Sequence, residues 1–80
     1  MKLVIKMTAS ELKINQQAII RKLHLKMSDR RRCFSMGIYE GVSIQLIKKA
    51  PFKDPYLFLI NGNEICMRKQ DASRIEVIAS

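Results

Sequence analysis

The sequence predicts a mostly β domain: a small antiparallel barrel of about five strands with one or two short helices. The chain has 80 residues, of which 48% are apolar, enough for one small core. Glycine and proline divide its middle into segments of strand length, and these segments alternate apolar and polar residues. Because closure removes the exposed edges of a small sheet, a barrel is favoured, and we expect residues 1–80 to form a single domain.

The N-terminal part is expected to contain one helical turn and the first strand. Roughly the first ten residues are interpreted as a lead-in, in which Thr8 or Ser10 caps a turn through Glu11 and Leu12. A strand is predicted over 17–27, because apolar side chains recur there on one parity: Ile19, Leu23, Leu25 and Met27.

A short helix is predicted next, between Ser28 and Gly37. Ser28 is a suitable N-cap, and Asp29 complements the positive end of the helix dipole. Gly37 supplies the left-handed residue that often follows a helix, which leaves a helix of about eight residues. The consecutive arginines 30–32 point about 100° apart, so at most two of them can face one partner.

The second half of the chain supplies the remaining strands. Val42, Ile44 and Leu46 alternate with polar residues, and the loop that follows contains Pro51 and Pro55, which cannot donate to a β-ladder. The segment after this loop is expected to contain a hairpin, a further turn and a closing strand.

The signal for the hairpin is Asn61-Gly62, because both central residues of a type I′ turn need positive φ. This turn would join a strand over 56–60 to a strand over 64–68. Asp71–Ser73 is interpreted as a turn or one 3₁₀ step, and Ile75 and Val77 alternate with charged residues in a closing strand. The pattern fits an SH3-like or an OB-like barrel equally well.

Charge is the most informative feature for function. Fifteen basic and seven acidic side chains give a net charge of +8, and +6 of it lies between Lys13 and Arg32. Such a patch fits an acidic protein, an anionic membrane surface or nucleic acid. Specific nucleic-acid binding is not predicted, because the chain has five aromatic residues and no Trp with which to stack bases.

The residues that carry catalysis, cofactor binding and metal binding are sparse. A single histidine and scattered carboxylates form no acid–base pair, and the glycines follow no nucleotide-binding pattern. His24 is interpreted as a surface residue, and Cys33 and Cys66 as small buried hydrophobic residues rather than a disulfide. No cofactor or metal site is predicted, although direct iron binding by His24 and Cys66 stays as a minor hypothesis.

No membrane-spanning or secretory segment is expected. The longest apolar run covers Tyr56–Ile60, far short of the roughly 20 residues that cross a bilayer. Lys6 interrupts the apolar N-terminus after three residues, so no signal-peptide core forms. The sequence therefore predicts a cytoplasmic location.

Four motifs in order resemble the FeoA family over Leu12–Val77. They are Met36–Gly41, Ala50-Pro51 with Asp54-Pro55, Asn61-Gly62 followed by Met67–Lys69, and Asp71–Val77. The resemblance implies an SH3-like barrel in which Gly37, Gly41, Pro51, Pro55, Asn61 and Gly62 have structural roles. Where the family often has Pro-Gly before the first strand, this chain has Ile14-Asn15, and Asn also tolerates positive φ.

The resemblance also implies a function. The chain would be a small cytosolic accessory protein of ferrous iron uptake, without enzymatic activity, that docks on the cytosolic, GTPase-containing part of the FeoB transporter. The expected contacts are Arg31, Arg32 and Met36 on the helix and Phe52 on the loop. The alternatives are a basic SH3-like nucleic-acid-binding module and a regulatory module related to the C-terminal domain of DtxR-type repressors.

Overall fold

The computed structural model describes residues 5–79, which form six strands and two helices. The strands are β1 (Ile5–Thr8), β2 (Gln17–Leu23), β3 (Ser43–Lys49), β4 (Tyr56–Ile60), β5 (Asn63–Met67) and β6 (Ile75–Ala79). The helices are α1 (Met27–Ser35) and α2 (Lys69–Ala72), and short 3₁₀ turns cover Ala9–Glu11 and Pro51–Lys53. The predicted mostly β fold with short helices is confirmed.

All six strands belong to one antiparallel sheet, in the order β1-β6-β2-β3-β4-β5. Strands β2 to β6 contribute side chains to a single apolar cluster, in which Ile44, Leu46 and Phe58 have no exposed surface. Helix α1 contributes no buried residue to this core and α2 contributes only Ala72. The core therefore lies against one face of the sheet, and because the strand order ends at β1 and β5 without a pairing between them among residues 5–79, the predicted barrel is approximate.

The structure adds a sixth strand to the five that were predicted. The segment interpreted as a lead-in contains β1, which pairs along β6 from Ile5↔Ala79 to Thr8↔Glu76. Thr8 then begins the 3₁₀ turn, and its backbone N–H donates to the Glu11 carboxylate at 2.9 Å. This hydrogen bond from the Thr8 backbone is the main reason why the pKa of Glu11 is lowered.

The parity predicted for the first strand is wrong at Ile19. Strand β2 ends at Leu23, and its pairing with β6 passes from Ile20↔Val77 to Lys22↔Glu76, so that Arg21 is an extra residue. Such a bulge shifts the alternation by one. Ile20 and Leu23 consequently face the core, whereas Ile19 is 44% exposed.

Helix α1 begins earlier than predicted and ends as predicted. Its N-cap is Lys26, whose side chain makes no capping hydrogen bond, and Ser28 lies inside the first turn rather than at the N-cap. At the other end Gly37 has φ +86. The Gly37 N–H donates to the Phe34 carbonyl at 3.0 Å and the Ile38 N–H to the Cys33 carbonyl at 2.8 Å. These two bonds are a Schellman motif.

The turn and loop residues lie where tight connections need them. Asn61 and Gly62 have φ +51 and +84 between β4 and β5, and Asn15 has φ +69 before β2. Pro51 begins the 3₁₀ turn after β3, and the Asp54-Pro55 bond is cis. The segment Asp71–Ser73, predicted to form a turn or one 3₁₀ step, is instead the end of the α-helix α2 and its C-cap. Within residues 5–79, no helix has the length and hydrophobicity that crossing a membrane requires.

Candidate partner-binding surface

Helix α1 packs little against the core and presents most of its side chains to solvent. It has no fully buried residue, and only Cys33 packs against the core, partly buried. Its sequence is too polar for a core helix, since three of its nine residues are arginines. Because α1 contributes so little to the core, its exposed side chains are available for recognition of a partner.

One groove runs along the side of α1 that faces the turn after it; we call it the α1 groove. Its lining comprises Leu23, Met27, Arg30, Arg31, Phe34, Ile38, Tyr39 and Glu40, around a volume of about 420 Å³. The Phe34 and Tyr39 rings contact each other with centroids 5.1 Å apart. The Schellman motif reverses the chain after α1 and so brings Tyr39 beside Phe34.

The two cations of the α1 groove differ in their partners. Arg30 Nη2 lies 3.1 Å from Glu40 Oε1 across the groove, and both side chains are partly exposed. Arg31 makes no ion pair with any carboxylate of the described residues. The groove therefore carries one cation whose charge is not matched within residues 5–79.

A second groove on the opposite side of α1 contains the sulfur-bearing side chains; we call it the sulfur groove. Its volume is about 310 Å³, and Arg32, Cys33 and Met36 line one wall while Cys66 and Met67 line the other. Both thiols are free. Cys33 is partly buried and burial raises the pKa of its thiol, whereas Cys66 is exposed, so the interpretation of Cys66 as a buried residue is wrong.

The predicted contact residues do not form one patch. Arg31 lines the α1 groove, and Arg32 and Met36 line the sulfur groove, in agreement with the angular separation of consecutive helical residues. Phe52 lies in neither lining and is fully exposed on the loop between β3 and β4. That loop is tied to the start of α2, where the Lys69 N–H donates to Asp54 Oδ1 at 3.0 Å.

The candidate iron ligands His24 and Cys66 have different neighbours. His24 Nε2 lies 3.2 Å from Glu76 Oε1, and Arg21 Nε lies 3.3 Å from Glu76 Oε2, on the β2–β6 side of the sheet. Cys66 belongs to β5 and lines the sulfur groove, whose lining does not include His24. In the part of the chain that the structure describes, no three His, Cys, Asp or Glu side chains cluster as metal ligands.

Glu76 on β6 contacts Arg21 of β2 and His24, which directly follows β2, and we expect the contribution of Glu76 to stability to depend on pH. The hydrogen bond from His24, assisted by Arg21, lowers the pKa of Glu76 in the folded protein. The stabilisation is thus present above the ordinary glutamate pKa and is lost as pH falls through the lowered value. In urea titrations from pH 7 to pH 3, Glu76→Gln should lower the midpoint slightly at pH 7 and match wild type at the acidic end.

Glu64→Gln is the matched control for this prediction, because Glu64 is exposed on β5 and makes no ion pair among the described residues. Its midpoint should follow wild type throughout. A Glu76→Gln deficit that stays constant down to pH 3 would show that the carboxylate charge is not what stabilises this junction.

The FeoA domain family matches residues 7–79, nearly the whole described chain. The chain belongs to the FeoA family. The FeoA protein of Chlorobium tepidum has the same fold, with a TM-score of 0.85 and 30% identity over 91% of this chain and 70% of that one. The zinc complex of Stenotrophomonas maltophilia FeoA, described as a prokaryotic SH3 domain protein, gives a TM-score of 0.72 at 27% identity over 89% and 88%.

A curated relative joins this domain to a transporter. It is the Fe(2+) transport protein A/Fe(2+) transporter FeoB fusion protein of Porphyromonas gingivalis, 34% identical over 71 residues. These residues are 89% of this FeoA chain but only 8% of the fusion protein. Likeness to T. acidophilum IdeR is one of fold alone, with a TM-score of 0.79 at 20% identity over all of this chain and 37% of that one.

Sequence reasoning missed Phe34, Tyr39 and Met27 as candidate contact residues. A signal was present: Met27 and Phe34 are seven residues apart, which is two helical turns, and they are apolar residues on a strongly basic helix. Tyr39 gave no comparable signal, because its position beside Phe34 depends on the reversal of the chain at Gly37.

Proposed function

We propose that this FeoA chain is an accessory protein of ferrous iron uptake that docks on the cytosolic, GTPase-containing part of a FeoB-type transporter. Membership of the family supports the role, and the Porphyromonas gingivalis fusion supports the partner, because it holds both proteins in one polypeptide. The observation that carries docking is α1, which presents three arginines and exposed apolar side chains without a buried residue.

In this proposal the domain acts on the cytoplasmic side by binding alone, without a catalytic step or a cofactor of its own. The contacts are Arg31 and Arg32 on the two sides of α1, Met36 at its end and Phe52 on the β3–β4 loop. All four side chains are exposed, and Phe52 is completely so. An exposed helix and an ordered loop on a rigid sheet are usual places for recognition.

The first test is the affinity of this chain for the purified cytosolic part of FeoB, by calorimetry at two salt concentrations beside a structured RNA. Saturable binding to the FeoB part, with little binding to RNA at the higher salt, is expected. Binding to RNA alone, and only at low salt, would replace the proposal by a basic nucleic-acid module, since phosphate-driven binding weakens steeply with salt.

The double variant Arg31→Glu/Arg32→Glu should weaken binding to the FeoB part by roughly tenfold or more, because like charges replace attractive ones across the interface. Lys13→Glu/Lys48→Glu is the matched control: both lysines are exposed, lie outside α1 and carry the same charge change. Equal losses in the two variants would mean that overall charge, rather than α1, determines binding.

A further inference from the structure

The α1 groove has the chemistry of a specific peptide site, and this inference rests on the proposed function. We infer that it receives one large apolar side chain and a neighbouring carboxylate from an acidic segment of the FeoB-type partner. The apolar side chain would lie against Phe34 and Tyr39, and the carboxylate would pair with Arg31.

Three of the seven large apolar side chains that are exposed among the described residues line this groove. Met27 is 64% exposed, Phe34 66% and Tyr39 37%, and the buried residues Leu23 and Ile38 also line it. A contiguous apolar patch with a polar rim is typical of an interaction site, whereas single exposed apolar residues are ordinary. Aromatic side chains in the middle of such a patch carry a large share of binding energy.

The charges of the groove favour a carboxylate partner. Glu40, the one acidic residue of the lining, is already held by Arg30 at 3.1 Å, so it does not repel an incoming anion as an isolated carboxylate would. Arg31 lies in the same lining without an ion pair among the described residues. An arginine that can form a two-point contact beside an apolar surface is suited to a carboxylate.

The same geometry disfavours nucleic acid as the occupant. Tight binding to a phosphate backbone needs several cations along one surface. Among the described residues that line this groove, the cations are Arg30, which is paired with Glu40, and Arg31, while Arg32 lines the other groove. Phe34 and Tyr39 are also tilted by 45° against each other, which is not the parallel arrangement of a base-stacking platform.

The decisive variant is Phe34→Ser. It removes an exposed ring and should leave the urea midpoint almost unchanged, while affinity for the cytosolic part of FeoB falls tenfold or more. Ile14→Ser is the matched control, because Ile14 is 55% exposed on the turn before β2, outside the groove. A third variant, Phe52→Ser, tests whether the β3–β4 loop contributes to binding of the FeoB part. Loss of affinity in Phe52→Ser with none in Phe34→Ser would overturn the groove while FeoB docking stands.

Peptides test the groove independently of intact FeoB. Overlapping synthetic peptides covering the cytosolic part of FeoB are titrated into ¹⁵N-labelled protein, and amide shifts are followed. One acidic peptide with a large apolar residue should shift the amides of Met27, Arg31, Phe34 and Tyr39. Binding confined to other residues, or only to anionic vesicles or RNA, would overturn the inference.

A charge exchange completes the test. Replacing the acidic residues of the binding peptide by Lys should abolish its binding to wild type, and Arg31→Glu should restore part of it. If a peptide binds the groove but the intact FeoB part does not bind, the proposed function fails and the groove stands. If the FeoB part binds and no acidic peptide reaches the groove, the inference fails and the proposed function stands.

Discussion

Phe58→Ala should lower the free energy of unfolding by about 3–5 kcal/mol, the usual cost of truncating a fully buried Phe. Phe58 has no exposed surface, and on β4 it pairs with Leu46 of β3 and Ile65 of β5, both buried. Its ring also lies 6.1 Å from that of Tyr56. A domain of this size has only about 4–12 kcal/mol of stability, so the variant should be largely unfolded at moderate temperature.

Phe52→Ala is the matched control for this prediction, because the same side chain is fully exposed on the β3–β4 loop. Its effect should stay within about 0.5 kcal/mol. Urea unfolding followed by circular dichroism measures both variants, since the chain has no Trp to serve as a fluorescent probe. A loss below about 1 kcal/mol for Phe58→Ala would show that β4 is not at the centre of the core.

The parts of the fold that the sequence predicts correctly are those that depend on neighbours in the chain. The alternation of Val42, Ile44 and Leu46 indicates a strand with one buried face, and all three side chains are buried. The hairpin at Asn61-Gly62 follows from the backbone angles that this turn needs, and both residues have positive φ. Local chemistry is sufficient at such positions.

The parts that were predicted incorrectly depend on distant partners. Strand β1 has only four residues, and it is a strand because β6, some seventy residues away, pairs with it. In the sequence, the bulge at Arg21 is visible only as one break in the alternation of apolar and polar residues. Such a break does not indicate which of the apolar residues before it face the core.

The candidate site shows the same division. Its charge was evident from the run of arginines, and so was the separation of Arg31 from Arg32. The α1 groove was not evident from the sequence, because its aromatic wall is formed by Phe34 of the helix together with Tyr39 of the following turn. The two rings meet only when the chain reverses at Gly37, so the groove depends on one backbone conformation.

Substitutions of Gly37 should therefore change both stability and binding. Gly37 has φ +86, and a Cβ there would lie 3.5 Å from Asn63 Nδ2, an ordinary contact, so the cost comes from the backbone angle rather than from crowding. Asn tolerates this region best, Ala loses about 1–2 kcal/mol, and a β-branched Val loses more, up to about 3 kcal/mol. Urea unfolding should rank the variants Asn, Ala, Val in order of decreasing stability.

Binding separates this backbone effect from general destabilisation. Gly62→Ala is the matched control, because Gly62 has φ +84 with open space around it, in the β4–β5 turn outside both groove linings. It should be destabilised about as much as Gly37→Ala. Affinity for the cytosolic part of FeoB, measured where both variants are folded, should fall more for Gly37→Ala, since Gly37 sets the chain reversal that brings Tyr39 beside Phe34. The β4–β5 turn contacts Tyr39 through Asn61 Nδ2, 3.5 Å from the Tyr39 hydroxyl, so Gly62→Ala should have the smaller effect. Equal affinities would show that docking does not depend on the reversal after α1.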